Sequence, residues 1–429
     1  MDEAPQSRRA FLAGATALGA AGVAMSCVRG RAEAAGIEEG GVQASNTPVP
    51  ARRNLADGAP IRCAFIGVGN RGSALLRATL DLDEAIDVTA VCDTYGVWRD
   101  RALNWCREQY AEAQSYTHFA AMLEAEALDA VVIATPDHVH PSAAMAALDR
   151  GLDVYCEKPI ALSAKDAKQL AWRATATGAV FQVGTQLRSQ PMYQRAREVV
   201  QGGQIGDLVL VQVHRHMATD RLTPDDIPNE ANESNVDWDA FAAPARSHKR
   251  DLMRYFNWRY FRDYSNGYFG DLMLHHLDLC LFLTGAGMPA QVMALGGIYN
   301  TEDGRTTPDT VSALVDYGAA GFHFNYTTTD SNGEFGLVER YLGTGGALEI
   351  RDMERLTIIR GEAREEVENG GLDNAAHLRG FFRAMRTREE TIAPVQAGYH
   401  AAAIAHMAML SADQRAAVAW DAEKEMPVI

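Results

Sequence analysis

Three groups of residues in this chain have the types and spacing to do chemistry. Gly67-Val68-Gly69-Asn70-Arg71-Gly72 is a G-x-G-x-x-G turn directly after the strand-like run Ile61-Arg62-Cys63-Ala64-Phe65-Ile66. Glu157-Lys158-Pro159 puts a lysine beside a proline just after a second such run, Leu152-Asp153-Val154-Tyr155-Cys156. Asp271, His275 and Asp278 recur at i, i+4 and i+7 in an apolar stretch beginning near Gly270. The glycine turn suits a dinucleotide, whose pyrophosphate would sit on the free N–H groups of the following helix. A lysine ammonium can donate to a hydroxyl and stabilise developing oxyanion charge. A histidine bonded by a carboxylate on the same helix face, as His275 by Asp271, has its tautomer set and its basicity raised for proton transfer. Each group also has a plainer reading: an empty turn, a surface lysine in an ion pair, an ordinary helix-face pair.

Such groups need elements that bring them together. Strand-like and helix-like runs alternate from Ile61 onward: strand 61–67, helix 73–82, strand 86–92, helix 98–110, short helix 119–125, strand 130–134, helix 142–150, strand 153–156, helix 164–177 and strand 180–183. Alternation with short connections predicts a doubly wound parallel sheet covered on both faces. In that setting Gly67 permits the tight turn, Gly69 the approach of the backbone to the pyrophosphate, and Gly72 the close packing of helix on strand. Asp93 follows at the end of the next strand, where a carboxylate bonds ribose hydroxyls and repels a 2′-phosphate. That favours NAD over NADP, with Arg71 able to soften the preference. Thr135-Pro136-Asp137-His138-Val139-His140 ends another strand on the same rim, on the nicotinamide side, although His138 or His140 could simply serve the loop or cap a helix.

Composition bounds the rest. The chain has 429 residues, enough for two domains, with 47% hydrophobic and 22% charged residues. A formal net charge of -16 argues against nucleic-acid binding, which needs a basic face. Ser7-Arg8-Arg9-Ala10-Phe11-Leu12 is a twin-arginine start, an apolar run from Ala10 to Ala24 follows, and Ala32-Glu33-Ala34 is an A-x-A-like cleavage site. Residues 1–34 therefore read as an export signal rather than a disordered tail, and the apolar run is too short to span a membrane. Cys27 would be a lipid-attachment residue only if Ala24-Met25-Ser26 were accepted as its poor lead-in. Residues 35–59, rich in Gly, Pro, Ala and Ser, read as a linker. Cys63, Cys92, Cys106, Cys156 and Cys280 are scattered, several in apolar runs, and read as buried free thiols; no C-x-x-C pair suggests zinc. Twin-arginine export carries folded proteins, so an exported dinucleotide enzyme is expected to hold and recycle its cofactor.

The ordered set of strand–G-x-G-x-x-G, T-P-x-x-x-H, E-K-P and D-x-x-x-H-x-x-D resembles the Gfo/Idh/MocA oxidoreductases, which act mostly on sugars, inositols and related polyols with NAD(P). Val183-Gly184-Thr185-Gln186-Leu187-Arg188, Asn257-Trp258-Arg259-Tyr260-Phe261, Asp263-Tyr264-Ser265-Asn266-Gly267 and the tail from His377 to Asp421 extend the likeness, toward an exported bacterial branch. The resemblance implies an α/β protein: a Rossmann domain over 60–186, then an α/β domain over 187–429 with a large, mostly antiparallel open sheet whose outer face makes dimers or tetramers. It implies catalytic roles for Lys158, Asp271 and His275. The expected cofactor contacts are Gly67, Gly69, Asn70, Arg71, Gly72, Asp93, Thr135, Pro136, His138, His140, Glu157 and Lys158. His275 would take a proton from a sugar hydroxyl as hydride leaves the same carbon, with Asp271 orienting His275 and Lys158 polarising the oxygen.

Arg188, His214, Arg259, Tyr264 and His276 are the expected carbohydrate contacts. His276 stands, like Leu274, where the branch resembled often has a small residue, and either adds a polar contact or packs. His214 and His216 alternate on a strand 208–216 and share a face. Together with His275 they are the nearest thing to a metal set, but no acidic partner has fixed spacing to them, so no metal is assigned. A second function starts from the same hydride transfer: oxidation, elimination of an aglycone and re-reduction would make a glycoside hydrolase. A non-catalytic NAD sensor is the third, and retention of Lys158, Asp271 and His275 speaks against it.

Overall fold

The computed structural model describes residues 48–55, 58–218, 222, 227–243, 245, 248–371 and 373–429. The expected export signal, Cys27 and most of the linker lie outside them. The described end of the linker stretch is fastened to the body: Arg52 bonds Asp153 at 3.1 Å and Arg53 bonds Asp129 at 3.0 Å.

Strands β1 (Ile61–Ile66), β2 (Ile86–Cys92), β3 (Gln114–Tyr116), β4 (Ala130–Ile133), β5 (Asp153–Glu157) and β6 (Phe181–Gly184) form one parallel sheet in the order β3-β2-β1-β4-β5-β6. That is the doubly wound topology, with the strand order reversing between β1 and β4. Short β3 was not foreseen; three residues carry too little pattern to be recognised. Helices α1 (Asn70–Leu80), α2 (Gly96–Arg107), α3 (Phe119–Ala125), α4 (His140–Leu148) and α5 (Ala164–Thr177) connect the strands. Local chemistry sets their ends: the Ser163 hydroxyl caps α5 by accepting from Asp166 N, and Gly178 closes it at φ 62°.

Helix α6 (Pro191–Gln201) leads into β7 (Leu208–His216). An excursion follows with α7 (Trp238–Ala242) and α8 (Leu252–Phe256), and then α9 (Met273–Thr284). The second sheet adds β8 (Gln291–Gly297), β9 (Thr310–Tyr317), β10 (Phe322–Thr329), β11 (Leu337–Gly343), β12 (Gly346–Arg351), β13 (Arg355–Arg360) and β14 (Ala363–Glu368). Helices α10 (Asn374–Thr387) and α11 (Val395–Gln414) and strands β15 (Val418–Asp421) and β16 (Met426–Val428) end the chain. The order is β14-β13-β12-β11-β7-β10-β9-β8-β15-β16, with every pair antiparallel except β10 on β7. Both domains thus have the expected fold class.

Apolar residues of the second sheet's inner face, such as Val211, Val213, Phe324 and Tyr326, pack on α6, α9 and α11. The late helices also serve the first sheet: Phe381 and Phe382 of α10 join the core of Phe65 and Tyr155, and Gln182 Nε2 donates to His377 O at 2.7 Å. All five described cysteines are free and buried.

Candidate active site

Beyond β1 the chain turns sharply at Gly67, at φ 84°, and a Cβ there would meet Ala134 and Thr135 backbone at 2.7 Å. Any other residue would push the turn off the end of β4. Gly72 faces the Gly67 carbonyl closely enough to exclude a side chain, and a Cβ on Gly69 would meet Trp98 at 2.8 Å. Helix α1 starts at Asn70 with no side-chain cap, so the first N–H groups, Asn70 to Gly72, keep their capacity for an anion. The carboxylate of Asp93 accepts from Val68 N at 2.7 Å and from Tyr95 N at 2.8 Å. It thereby joins the glycine turn to the end of β2, with lone pairs left over for ribose. Thr135 and Pro136 are half-exposed on the same rim. These residues fit a dinucleotide.

Not every expected cofactor contact is free for that task. Arg71 Nε is bonded to Glu157 Oε1 at 2.8 Å, and Gln186 Nε2 donates to the same oxygen at 2.7 Å. Arg71 therefore points along the sheet toward β5, away from Asp93, and does not soften the choice between NAD and NADP. His138 and His140 are buried, and each bonds a backbone carbonyl: His138 Nε2 meets Phe241 O at 2.7 Å and His140 Nδ1 meets Pro159 O at 2.7 Å. Burial lowers both imidazoles, His138 to about 4, so both are neutral positioning groups. His140 holds the turn after Lys158, whose bond to Pro159 is cis.

Lys158, Asp271 and His275 converge, but not as the helix-face pattern implied. Helix α9 starts at Met273, not near Gly270, so Asp271 precedes it. Its carboxylate turns to Lys158 rather than to His275: Nζ donates to Asp271 Oδ1 at 2.7 Å and to Asp271 O at 2.8 Å. Arg259 Nε lies 3.8 Å from the other oxygen, with its guanidinium over Trp258. Burial works against the Asp271 charge, but Lys158 and Arg259 overcome it and hold its carboxyl far below the usual range. No bond joins Asp271 to His275, whose Nδ1 is buried without a hydrogen-bond partner among the described residues. Burial, with the Lys158 charge behind it, pushes His275 well below its ordinary value. His275 is therefore neutral, with a lone pair free to accept a proton, and is a weaker base than the carboxylate-bonded histidine expected from the helix pattern.

Of the expected substrate contacts, only Arg259 is at this centre. Arg188 is buried in a bidentate pair with Asp278, both bonds 2.8 Å, and donates to Ile392 O. Tyr264 is fully buried among Phe241 and His138. His276 is fully buried, 3.2 Å from Glu339 Oε1 and stacked on Tyr326, so it packs. His214 lies opposite Thr327 and Val338, whereas neighbouring Val213 lies opposite Tyr326 and Glu339, which meet α9. Strand alternation therefore turns His214 and His216 to the other face of the sheet, away from His275. Among the described residues, no group of three or more His, Cys, Asp or Glu side chains could hold a metal.

Two residues at the centre escaped sequence reasoning. Arg215, between the two histidines, is on the α9 side, and its charge helps depress His275. Strand alternation from Val211 and Val213 would have found it. Asp137 is buried, accepts from the Ser265 hydroxyl at 3.1 Å, and is pushed up to about 7 by burial, against the pull of Lys158 and with the repulsion of Asp271. Its signal was a carboxylate inside the rim hexapeptide.

Residues 61–185 match the NAD-binding Rossmann fold of the GFO_IDH_MocA oxidoreductase family, and residues 193–349 match that family's C-terminal domain. The chain is 27% identical over 161 residues to inositol 2-dehydrogenase of Salmonella typhimurium, covering 37% of this chain and 47% of that one. It is 26% identical over 203 residues to a glycosyl hydrolase family 109 protein of Stenotrophomonas maltophilia, covering 46% and 44%. The chain thus spans about half the length of these curated relatives. A solved structure, levoglucosan dehydrogenase in complex with NADH and levoglucosan, superposes with a TM-score of 0.66 at 17% identity, covering 84% of this chain and 99% of that one. At that identity the likeness is one of fold.

Proposed function

The chain belongs to the Gfo/Idh/MocA oxidoreductase family, and on that premise we propose that it interconverts a hydroxyl and a ketone on a sugar or polyol, using NAD that it keeps bound and recycles. The observation that carries this reading is the Lys158–Asp271 contact beside a neutral His275. Bound NAD supplies a hydride acceptor or donor. The chain's residues do the rest. Gly67 to Gly72 and the start of α1 receive the pyrophosphate, and Asp93 the ribose. Lys158 donates to the reacting oxygen. His275 accepts the hydroxyl proton as the carbonyl forms and returns it in reduction. Asp271 holds Lys158, which replaces the expected role of orienting His275. Arg259 and Arg215 flank the substrate.

Relatives named for inositol and levoglucosan oxidation support the carbohydrate class. The relative named as a family 109 glycosyl hydrolase supports a second reading, transient oxidation with elimination of an aglycone. The twin-arginine start supports export, and the family likeness supports a dimer or tetramer.

The test is to mix the purified protein and its cofactor with a panel of sugars and aryl glycosides, following nicotinamide fluorescence and aglycone release together. A lasting fluorescence rise without release is expected. Release with the cofactor back in its oxidised form gives the second reading, and no response in either channel defeats both.

A further inference from the structure

The excursion between β7 and α9 reaches back over the first sheet and fastens to it at two places. Asn235 O accepts from Gly96 N at 2.8 Å, Asp237 N donates to Thr94 O at 2.8 Å, and Tyr95 and Val236 form an antiparallel bridge. This first attachment is at the loop after β2. A few residues on, Phe241 O meets His138 Nε2 at 2.7 Å, at the loop after β4. In the sheet, β2 and β4 flank β1. Residues 235–241 therefore cross the end of β1, above the glycine turn, where the strand order reverses and a dinucleotide would lie.

The crossing is firm. Tyr95, Val236, Trp238, Phe241, Tyr255 and Tyr264 form one buried cluster. The Thr94 hydroxyl meets Tyr255 OH at 2.6 Å, and Asp237 caps α7 by accepting from Ala240 N at 3.0 Å. The crossing and the loop after β2 both line a cavity of about 680 Å³, with Arg99, Thr117, Asn235 and Asp237 among its walls. Its size is that of a small-molecule site. Arg99 donates to the Thr117 hydroxyl at 2.7 Å, both residues lining it.

We propose that residues 235–241 are a strap over the adenosine half of the dinucleotide, which must be displaced for the cofactor to enter or leave. The strap rests on the dinucleotide reading above and deepens it: retention through many turnovers then has a structural cause. Opening costs two backbone hydrogen bonds, the His138 contact and part of an aromatic core, so exchange is slow while chemistry beneath the strap is not hindered.

A Cβ on Gly96 would lie 3.8 Å from Asn235 Cβ. Disulfides have a mean Cβ separation of about 3.8 Å, so Gly96→Cys with Asn235→Cys can lock the strap shut. The rate at which bound NAD exchanges with an excess of its fluorescent etheno analogue is the readout. The oxidised double variant is expected to exchange about tenfold or more slowly than its own reduced form, with both single variants unaffected by oxidant. Equal rates in a protein whose crosslink is verified by mass overturn the strap while leaving the dinucleotide site intact. If neither wild type nor variant holds or takes up NAD, the functional reading falls, and the strap with it. Should the double variant not fold, Asp237→Pro, at φ -85° just beyond proline's usual range, deletes the N–H given to Thr94. It is expected to speed exchange, and an unchanged rate overturns the proposal.

Discussion

Lys158 spends two of its three ammonium protons on one residue, the side chain and the carbonyl of Asp271, at 2.7 and 2.8 Å. Both bonds cross from the rim of the first sheet to the segment preceding α9, so they join the two domains at the proposed catalytic centre. The third N–H is left for a substrate oxygen. A charge fixed in this way needs no rearrangement as an oxyanion develops, which is where electrostatic catalysis gains most.

Replacement of either Lys158 or His275 by alanine should lower kcat by about 10²-fold or more, the ordinary scale of oxyanion and acid–base contributions. Bound NAD, measured by its release on denaturation, should stay near wild type. Wild-type rates in both variants would mean the assigned centre is wrong.

The buried Asp137 predicts a pH-dependent stability. Its carboxyl is raised to about 7, so the folded chain keeps a proton that the unfolded chain has lost. The stabilisation is complete below the unfolded value of about 4 and disappears as pH rises through the folded one. Asp137→Asn removes this dependence. Its Tm should therefore gain on wild type between pH 5 and pH 8, and a difference that is flat with pH would contradict the assignment.

Arg188 should matter for stability and little for substrate. Arg188→Ala strands the buried Asp278 carboxylate, at a cost of about 3–5 kcal/mol in denaturant unfolding. Removing both charges, as Arg188→Met with Asp278→Leu, should recover most of it. A raised KM with unchanged stability would return Arg188 to the substrate site.

The two faces of β7 make opposite predictions. Arg215→Ala should raise KM or lower kcat by about tenfold, the effect of one lost polar contact in a buried site. His214→Ala should change neither beyond experimental scatter. Steady-state kinetics on the reactive sugar from the panel decides between them, and a reversed outcome would place the substrate on the outer face of the sheet.

By itself the sequence determined what depends on local pattern. Periods of apolar residues marked β1, β2, β4, β5, β6 and the helices between them, because strand and helix repeats follow from the bonds of neighbouring residues. The glycine turn was legible as a local motif, and Gly72 answers a clash with Gly67 five residues before it, although the clash that Gly67 avoids is with Ala134 and Thr135 at the end of β4. The tertiary structure decided which charges meet. Asp271 and His275 have the right spacing for a helical pair, yet α9 begins two residues after Asp271, and the carboxylate goes to a lysine 113 residues away. Asp278 looked like part of the same motif and instead neutralises Arg188, 90 residues away. Alternation placed His214 and His216 on one face of β7 without saying which face was inside, since that depends on where α9 packs. Ionic pairing and burial act through space between segments that chain distance does not relate, so only the fold could assign them.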